Sequence, residues 1–173
     1  MANHLLLKIK KMFLFERNSI KVQYNRTLPF GDCINDRWEK AEFLGFGKNS
    51  SVYDNVVVLG EPEVGENTWV GPNVILDASG GLEIGSNCSI SAGVQIYSHD
   101  SVQWALSAGK EEYEYGKTSI GDNCYIGPNV IIQKGVRIGN SCIIGANSFV
   151  NRDIPDCSKA FGTPVVIKEE ITV

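Results

Sequence analysis

The chain has 173 residues, which suits a single domain of ordinary size. A net charge of −4 at pH 7 and a pI near 5.2 argue against a nucleic-acid-binding surface, which needs a basic face. The sequence contains no run of eighteen apolar residues, so we expect no transmembrane helix. Because Lys8, Lys10 and Lys11 interrupt the apolar N-terminal stretch, we expect no secretory signal. These features predict a cytoplasmic protein, either free or peripheral to the inner membrane.

The first fifty-five residues are interpreted as a cap segment rather than an independent domain. In residues 2–16, apolar residues alternate with lysines in a pattern typical of an amphipathic helix. We favour a cap on the open end of the fold, where edge strands need cover, over a basic helix lying on an anionic membrane. Residues 19–30 are expected to form a strand pair with a turn near Asn25, and residues 40–58 an irregular first coil.

The stretch from Thr118 to Arg152 repeats with a period of six residues. Its aliphatic anchors are Ile120, Ile126, Ile132, Ile138, Ile144 and Val150. A period of six differs from the 3.6 of a helix and from plain alternation, but it equals three β-steps of two residues. The pattern predicts an all-β solenoid in which the chain turns a corner at every hexapeptide. Three hexapeptides would make one triangular coil, and stacked coils would pair their backbones and share one core.

The phase of the inward aliphatic residues predicts four regular coils. Their anchors are Val64, Val70 and Leu76; Ile84, Ile90 and Ile96; Ile120, Ile126 and Ile132; and Ile138, Ile144 and Val150. Two departures from the period follow the third anchor of a coil: a bulge at Asp77–Gly81 and a long loop at residues 101–117. Both leave from one corner, and an irregular loop on a rigid scaffold is a common place for a site. The chain therefore divides into a cap segment 1–55, a β-helix 56–155 and a C-terminal extension 156–173.

Three of the five cysteines, Cys88, Cys124 and Cys142, occupy the small inward position of the repeat. They could form a metal or redox ladder, or they could simply be small buried hydrophobic residues. We favour the second interpretation, because the repeat itself requires a small residue at that position.

His99 is one of only two histidines, the other being His4, and it stands at the root of the long loop. Position alone leaves a hydrogen-bonded turn histidine and a functional histidine equally open. Residues 120–164, IGDNCYIGPNVIIQKGVRIGNSCIIGANSFVNRDIPDCSKAFGTP, decide between them. They resemble the hexapeptide-repeat acyltransferases, particularly the sugar O-acetyltransferases of the maltose/galactoside and surface-polysaccharide type. The resemblance implies a left-handed parallel β-helix with a short N-terminal cap, assembled as a homotrimer with each acetyl site between two subunits.

The resemblance implies that His99 is the general base of an acetyl-CoA-dependent O-acetyltransferase acting on a sugar, with no metal. A neutral imidazole can take a proton from a hydroxyl near neutral pH. The positions that match the cofactor-binding residues are Gly127, Pro128, Gly145, Ala146, Asn151, Arg152, Thr163 and Lys168. Pro128 has no N–H where the family contacts the thioester, so we expect either that a neighbour such as Gly127 donates or that the oxyanion is held otherwise. The candidate substrate-binding residues are Asp77, Ser79, Asp100 and Trp104.

Three other functions stay open at this point. N-acetylation of an amino sugar would use the same base and thioester. A zinc enzyme of the β-helical carbonic anhydrase type would need several histidines near the coils, and the predicted solenoid offers only His99. A non-catalytic binding or scaffold solenoid would have no affinity for coenzyme A.

Overall fold

The computed structural model describes residues 2–170, so Met1 of the predicted cap segment and residues 171–173 of the predicted extension lie outside the described residues. Short parallel strands wind into a solenoid with three β-sheets as its faces. Face 1 contains β1 (Ser51–Val52), β4 (Trp69–Val70), β7 (Ser89–Ile90), β12 (Tyr125–Ile126), β15 (Ile143–Ile144), β17 (Ser158–Phe161) and β18 (Val166–Glu170). Face 2 contains β2 (Val57–Leu59), β5 (Ile75–Asp77), β8 (Gln95–Ile96), β13 (Ile131–Ile132) and β16 (Phe149–Val150). Face 3 contains β3 (Glu63–Val64), β6 (Leu82–Ile84), β11 (Thr118–Ile120) and β14 (Arg137–Ile138).

The strand registers confirm the coils predicted from the sequence. On face 1, Val70 pairs with Ile90, Ile90 with Ile126, and Ile126 with Ile144. The anchors of the other two faces pair in the same order. All twelve anchor side chains are buried in one continuous hydrophobic core. Each coil alone could not bury its inner face, so the core exists only because the coils stack.

The corner between faces 3 and 1 shows why the repeat needs glycine. A Cβ on Gly121 would lie 2.8 Å from the backbone nitrogen of Asn140 in the next coil. Two residues later, Asn123 adopts a positive φ of 60°, a conformation that asparagine tolerates better than most residues. The close approach and the tight turn together let the coils stack at the spacing of a parallel sheet.

The two departures from the period lie one above the other, as predicted. β9 (His99–Asp100) forms the root of the long loop, which contains α4 (Val102–Leu106) and β10 (Glu114–Tyr115), and β9 and β10 form an antiparallel pair. The bulge lies directly against the root of this loop, because the Gly80 N–H donates to Ser98 Oγ at 2.8 Å. The bulge and the loop therefore share the corner between faces 2 and 3.

The N-terminal region differs from the prediction. Helix α1 (Ala2–Tyr24) continues through the segment expected to begin a strand pair, and it ends where Asn25 takes a positive φ of 52°. Ile20 and Tyr24 stand four residues apart, so the same residues that alternate weakly as a strand also fit one side of a helix. No helix within residues 2–170 is long and apolar enough to cross a membrane.

The open end of the solenoid is covered by a different helix from the one predicted. After α2 (Phe30–Ile34), α3 (Arg37–Phe43) packs on β1, and Ala41 and Phe46 join the core. Residues 4–12 of α1 are exposed instead, so the prediction that residues 2–16 cap the end is wrong. The expected irregular coil at residues 40–58 is more regular than predicted, since β1 and β2 pair in parallel with β4 and β5.

The three repeat cysteines are buried, and none of the five cysteines of the chain forms a disulfide. The Cys142 N–H lies 3.5 Å from Cys124 Sγ, so the thiols stack along the core from one coil to the next. Within residues 2–170, no group of three His, Cys, Asp or Glu side chains is placed to hold a metal ion. The three repeat cysteines are therefore surrounded as small hydrophobic residues of the core are.

Candidate active site

His99 and Asp77 form a close pair at the corner between faces 2 and 3. His99 Nδ1 lies 2.6 Å from Asp77 Oδ2. The side chain of Asp77 is fully buried, whereas 25% of the His99 side chain is exposed. The bulge after β5 turns Asp77 beneath the root of the loop, and β9 holds His99 above it. The pair therefore combines a buried carboxylate with a partly exposed imidazole.

The Asp77 carboxylate is held in its charged form by several N–H donors. Its Oδ1 accepts from the Ser79 N–H at 3.0 Å, and its Oδ2 accepts from the N–H groups of Ser98 at 2.9 Å and His99 at 3.2 Å. Burial acts to raise the pKa of Asp77, but hydrogen bonds from the Ser79 side chain, from these N–H groups and from the His99 ring outweigh it and lower the pKa to about 2. Asp77 is therefore an anion at neutral pH.

An ionised carboxylate can only accept a hydrogen bond, which fixes the tautomer of the histidine. His99 Nδ1 must carry the proton that points at Asp77, and Nε2 then keeps a free lone pair. A histidine oriented in this way can accept a proton from a substrate hydroxyl. The sequence-based role of Asp77 as a substrate contact is wrong, because its side chain is fully buried. Asp77 positions His99 instead.

Aromatic side chains of the loop surround the histidine. The Tyr113 ring stacks on the His99 ring at a centroid distance of 5.9 Å and an angle of 15°, and the Tyr115 ring lies at 6.0 Å. Trp104 meets Tyr113 edge-on at 5.9 Å and is 45% exposed. The loop therefore places an exposed aromatic surface beside the candidate base.

Lys134 joins the loop to the next coil. Its Nζ lies 2.9 Å from Asp100 Oδ2 and also pairs with Glu114 across the β9–β10 hairpin. The two carboxylates raise the pKa of Lys134, Glu114 having the larger effect. Asp100 also accepts from the Val102 N–H at 3.0 Å. Asp100, which the sequence suggested as a substrate contact, is thus engaged in holding the loop, whereas Ser79 is exposed beside the pair.

The corner between faces 1 and 2 contains most of the predicted cofactor positions. Gly127 and Gly145 follow β12 and β15, and each donates its N–H to the next coil at 2.9 Å, to Ile144 and Ala160 respectively. The expectation that Gly127 supplies a free donor in place of Pro128 is therefore wrong. A Cβ on Gly127 would lie 2.7 Å from the Ala146 nitrogen, so this glycine permits the close approach of two coils.

Two other backbone donors at this corner remain available. Within residues 2–170, the N–H groups of Ala92 and Ala146 donate no hydrogen bond, and Ala146 is exposed. Pro128 lies between them in the stack and interrupts the row. Thr163 extends the same corner, where its Oγ1 donates to Asn147 O at 2.9 Å.

The remaining predicted cofactor residues lie elsewhere. Asn151 and Arg152 follow β16 and are exposed at the corner between faces 2 and 3, on the same side as His99. Lys168 lies on β18, with Nζ 5.9 Å from the Phe161 ring centroid. Within one chain, His99 and the Gly127–Ala146 corner therefore lie at opposite edges of face 2.

Two family models match the repeat region. The model of the bacterial transferase hexapeptide (six repeats) matches residues 117–152, and that of the hexapeptide repeat of succinyl-transferase matches residues 63–98. The chain is 34% identical over 182 aligned residues to YJL218W, a candidate acetyltransferase of Saccharomyces cerevisiae, and the alignment covers 96% of this chain and 84% of that protein. The chain belongs to the hexapeptide-repeat acyltransferase family.

Bacterial members of the hexapeptide-repeat family are also similar to this chain. Galactoside O-acetyltransferase of Escherichia coli is 30% identical over 128 residues, which cover 62% of this chain and 63% of that protein. A hexapeptide-repeat acetyltransferase of Vibrio cholerae, solved in complex with acetyl coenzyme A, matches with a TM-score of 0.72 and 25% identity, covering 96% of this chain and 90% of that one. Against three bacterial relatives the chain spans only 27%, 63% and 50% of their lengths. The solenoid is the left-handed β-helix of this family.

Sequence reasoning missed three features of this hexapeptide-repeat protein. It did not assign Asp77 to His99, although the register of Leu76 with Ile96 places Asp77 directly below the root of the loop. It did not single out Lys134, which the period places one coil above His99. It also overlooked Ala92, which stands at the same corner position as Pro128 and Ala146. Each of these could have been found by stacking the coils before choosing candidate residues.

Proposed function

We propose that the protein is an acetyltransferase that transfers an acetyl group from acetyl-CoA to a sugar hydroxyl, with His99 as general base. The observation that carries this proposal is the contact of 2.6 Å between His99 Nδ1 and the buried Asp77 carboxylate. Such a pair leaves Nε2 as an accessible base beside the aromatic side chains of the loop. A histidine–carboxylate pair can assist several kinds of reaction, and the membership of the hexapeptide-repeat acyltransferase family supports acyl transfer among them.

In the proposed reaction, His99 Nε2 takes the proton of the acceptor hydroxyl while its oxygen attacks the thioester carbonyl carbon. Asp77 stabilises the positive charge that then forms on the imidazole ring. When the tetrahedral intermediate collapses, the C–S bond breaks and the thiolate leaves. The proton held on His99 passes to that thiolate, which gives coenzyme A, an acetyl ester and a neutral histidine. No covalent acyl-enzyme is required.

The negative oxygen of the intermediate needs a hydrogen-bond donor. The Ala92 and Ala146 N–H groups are the candidates, because Pro128 has none and the Gly127 N–H is already paired. We assign the exposed Ala146 to the amide-containing arm of coenzyme A, together with Gly145 and Thr163. Arg152, with Asn151 next to it, and Lys168 are assigned to its phosphates, since phosphate is bound by such charges.

The separation of His99 from the Gly127–Ala146 corner favours a site shared between subunits. Two corners of one triangular coil lie at opposite edges of face 2, so one acetyl-CoA molecule reaches both more easily when a second copy supplies one of them. We propose a homotrimer, because a closed three-fold ring places a different corner of the neighbouring copy against each His99.

A sugar is the proposed acceptor. The exposed surface formed by Trp104 and Tyr113 beside His99 can stack on the apolar face of a sugar ring. Ser79, exposed next to Asp77, can hydrogen-bond to its hydroxyl groups. The similarity to a galactoside O-acetyltransferase also supports a sugar hydroxyl. We further propose that the acceptor is a precursor of a surface polysaccharide.

The test is a thiol-release assay with acetyl-CoA and two matched sets of acceptors, hydroxyl sugars and amino sugars. We expect coenzyme A to be released with hydroxyl sugars and an acetyl ester to be found by mass spectrometry. Exclusive use of amino sugars would replace the proposal by N-acetylation. Calorimetric titration with acetyl-CoA provides a separate readout. Absence of binding even at millimolar concentration would favour a non-catalytic solenoid.

A further inference from the structure

The first four turns of helix α1 carry exposed apolar and basic side chains. Its exposed apolar side chains are Leu5, Leu6, Leu7, Ile9, Met12 and Phe15, with exposed fractions from 38% to 70%. Lys8, Lys10 and Lys11 are exposed between them. Since a helix rises 1.5 Å per residue, residues 4–12 extend this surface over about 13 Å. In this part of the chain the helix has no role in the core or in the candidate active site.

The side of α1 that packs against the protein in the second half of the helix continues into its first half. Phe13 packs against Phe30 of α2 with the ring planes tilted by 56° and the centroids 5.3 Å apart, and Ile20 is half-buried. Leu5, Ile9 and Met12 lie on the same side by helical spacing, but 61%, 38% and 46% of them remain exposed. The apolar side is therefore used in the second half of the helix and left bare in the first half.

The charge of this segment is opposite to that of the rest of the chain. Residues 1–15 contain three lysines and no acidic residue, and the whole chain has a net charge of −4, so residues 16–173 carry −7. The positive charge is thus concentrated where the apolar side chains are exposed. Long lysine side chains beside an apolar strip can extend their ammonium groups to a polar surface while their methylene groups remain in contact with the strip.

We propose that residues 4–15 of α1 bind to the surface of an anionic lipid bilayer, with Leu5, Ile9 and Met12 inserted among the lipid chains. Leu5, Ile9 and Met12 lie on one side of the helix, and the three lysines lie at its border and on the opposite side. A helix with an apolar side and a lysine-rich polar side lies in the plane of a membrane interface. The lysines contact the anionic headgroups, and the acidic remainder of the chain is repelled from them. Since no helix of residues 2–170 can cross the bilayer, the contact is peripheral.

The test uses the full chain and vesicles of phosphatidylcholine, either alone or mixed with phosphatidylglycerol. We expect the protein to co-sediment with the mixed vesicles only, and to be released by high salt. Each lysine near an anionic surface contributes about fivefold to the partition coefficient. The double variant Lys8→Gln and Lys11→Gln should therefore bind roughly 25-fold more weakly. Its control is Lys48→Gln with Lys110→Gln, which removes the same charge elsewhere and should bind as the wild type does.

A second pair of variants tests the apolar contact. Ile9→Ser should weaken binding to the mixed vesicles several-fold, whereas Val22→Ser, on the same helix but on another side of it, should not. Equal binding to both kinds of vesicle, or binding to neither, would overturn the proposal. So would a fall in the sedimentation mass of Ile9→Ser without a loss of vesicle binding, since this side of the helix would then contact a second copy. Vesicle binding is measured without acyl transfer, so its failure and the failure of the proposed enzyme activity are distinguishable.

Discussion

Two corners of the solenoid use polar side chains in different ways. At the corner between faces 3 and 1, they accept backbone N–H groups of the coil below. Asp122 accepts from Ser86 at 2.7 Å, Asn140 from Asp122 at 2.8 Å, and Asp156 from Asn140 at 2.8 Å. Each of these side chains completes the hydrogen bonding of the backbone. These side chains therefore stabilise the corner, and their accepting oxygens are occupied by the backbone.

At the corner between faces 2 and 3, one polar side chain accepts backbone N–H groups and also contacts a histidine ring. Asp77 also accepts backbone N–H groups, from Ser79, Ser98 and His99, but its Oδ2 additionally binds the His99 ring. The extra residues of the bulge and the loop make this possible, because they free the corner from the six-residue spacing. A carboxylate that stabilises the backbone can therefore also orient a histidine ring when the repeat is interrupted beside it.

The largest expected effect is at His99. His99→Ala removes the proposed base and should lower kcat by about 10²–10⁴-fold, with acetyl-CoA binding nearly unchanged. Steady-state kinetics and calorimetry on the same preparation measure the two effects. His4→Ala, which removes the other histidine of the chain from an exposed helix position, is the control and should be fully active. Full activity of His99→Ala would exclude this histidine from the mechanism.

Asp77→Asn should have the next largest effect. Either orientation of the amide turns its NH₂ group towards an N–H donor, because both carboxylate oxygens accept from the backbone. The neutral amide also cannot stabilise the imidazolium, so we expect kcat to fall about 10²-fold. Asp122→Asn is the matched control at the regular corner. Only one oxygen of Asp122 accepts a backbone N–H, so the asparagine amide can rotate to place its oxygen there, and the kcat of this variant should not change.

The same variant has a pH-dependent effect on stability. The pKa of Asp77 is lowered from 3.8 to about 2, so its contribution to stability is fully present above pH 3.8 and is lost as the pH falls through about 2. The difference in free energy of unfolding between the wild type and Asp77→Asn should therefore narrow as the pH falls from 3.8 to 2. Urea titrations across this range measure it. A constant difference would mean that the charge of Asp77 does not contribute.

Gly121→Ala tests the regular corner and should affect stability rather than chemistry. Its Cβ would lie 2.5 Å from Asn140 Oδ1 and 2.8 Å from the backbone of the next coil. We expect a loss of about 2–3 kcal/mol in the free energy of unfolding, with kcat unchanged for the folded fraction. Gly45→Ala, at a positive φ with no atom within 4 Å, should cost only about 1 kcal/mol. Equal losses would show that close approach is not the reason for glycine in the repeat.

The sequence predicted the coils because burial itself follows the period of six. Leu76, Ile96 and Ile132 had to stack once each turned inward, and the registers follow from that. The period places Asp77 below the root of the loop, but it does not give the direction of the side chain, which depends on how the bulge turns it towards Ser98 and His99. The strand pair expected at residues 19–30 failed because Ile20 and Tyr24 fit a helix equally well. Local alternation could not decide between them, whereas packing against α2 does.

The smallest expected effect concerns the loop that brings the aromatic side chains to His99. Lys134→Gln removes a cation that pairs with both strands of its hairpin, through Asp100 and Glu114. We expect the loop to open more often, so that chymotrypsin cleaves after Trp104 and Tyr113 a few times faster, with the melting temperature almost unchanged.

Lys110→Gln is the control for this effect. It makes the same charge change on the loop itself, where within residues 2–170 the lysine has no acidic partner. Its cleavage rate should equal that of the wild type. If the two variants are cleaved alike, the loop is held by the stacking of Tyr113 on His99 rather than by Lys134. High salt should accelerate cleavage of the wild type more than that of Lys134→Gln, because only the wild type has the pairs of Lys134 with Asp100 and Glu114, whereas both proteins keep the Lys117–Glu83 pair at the base of the loop. That outcome would separate ion pairing from any other consequence of shortening the side chain.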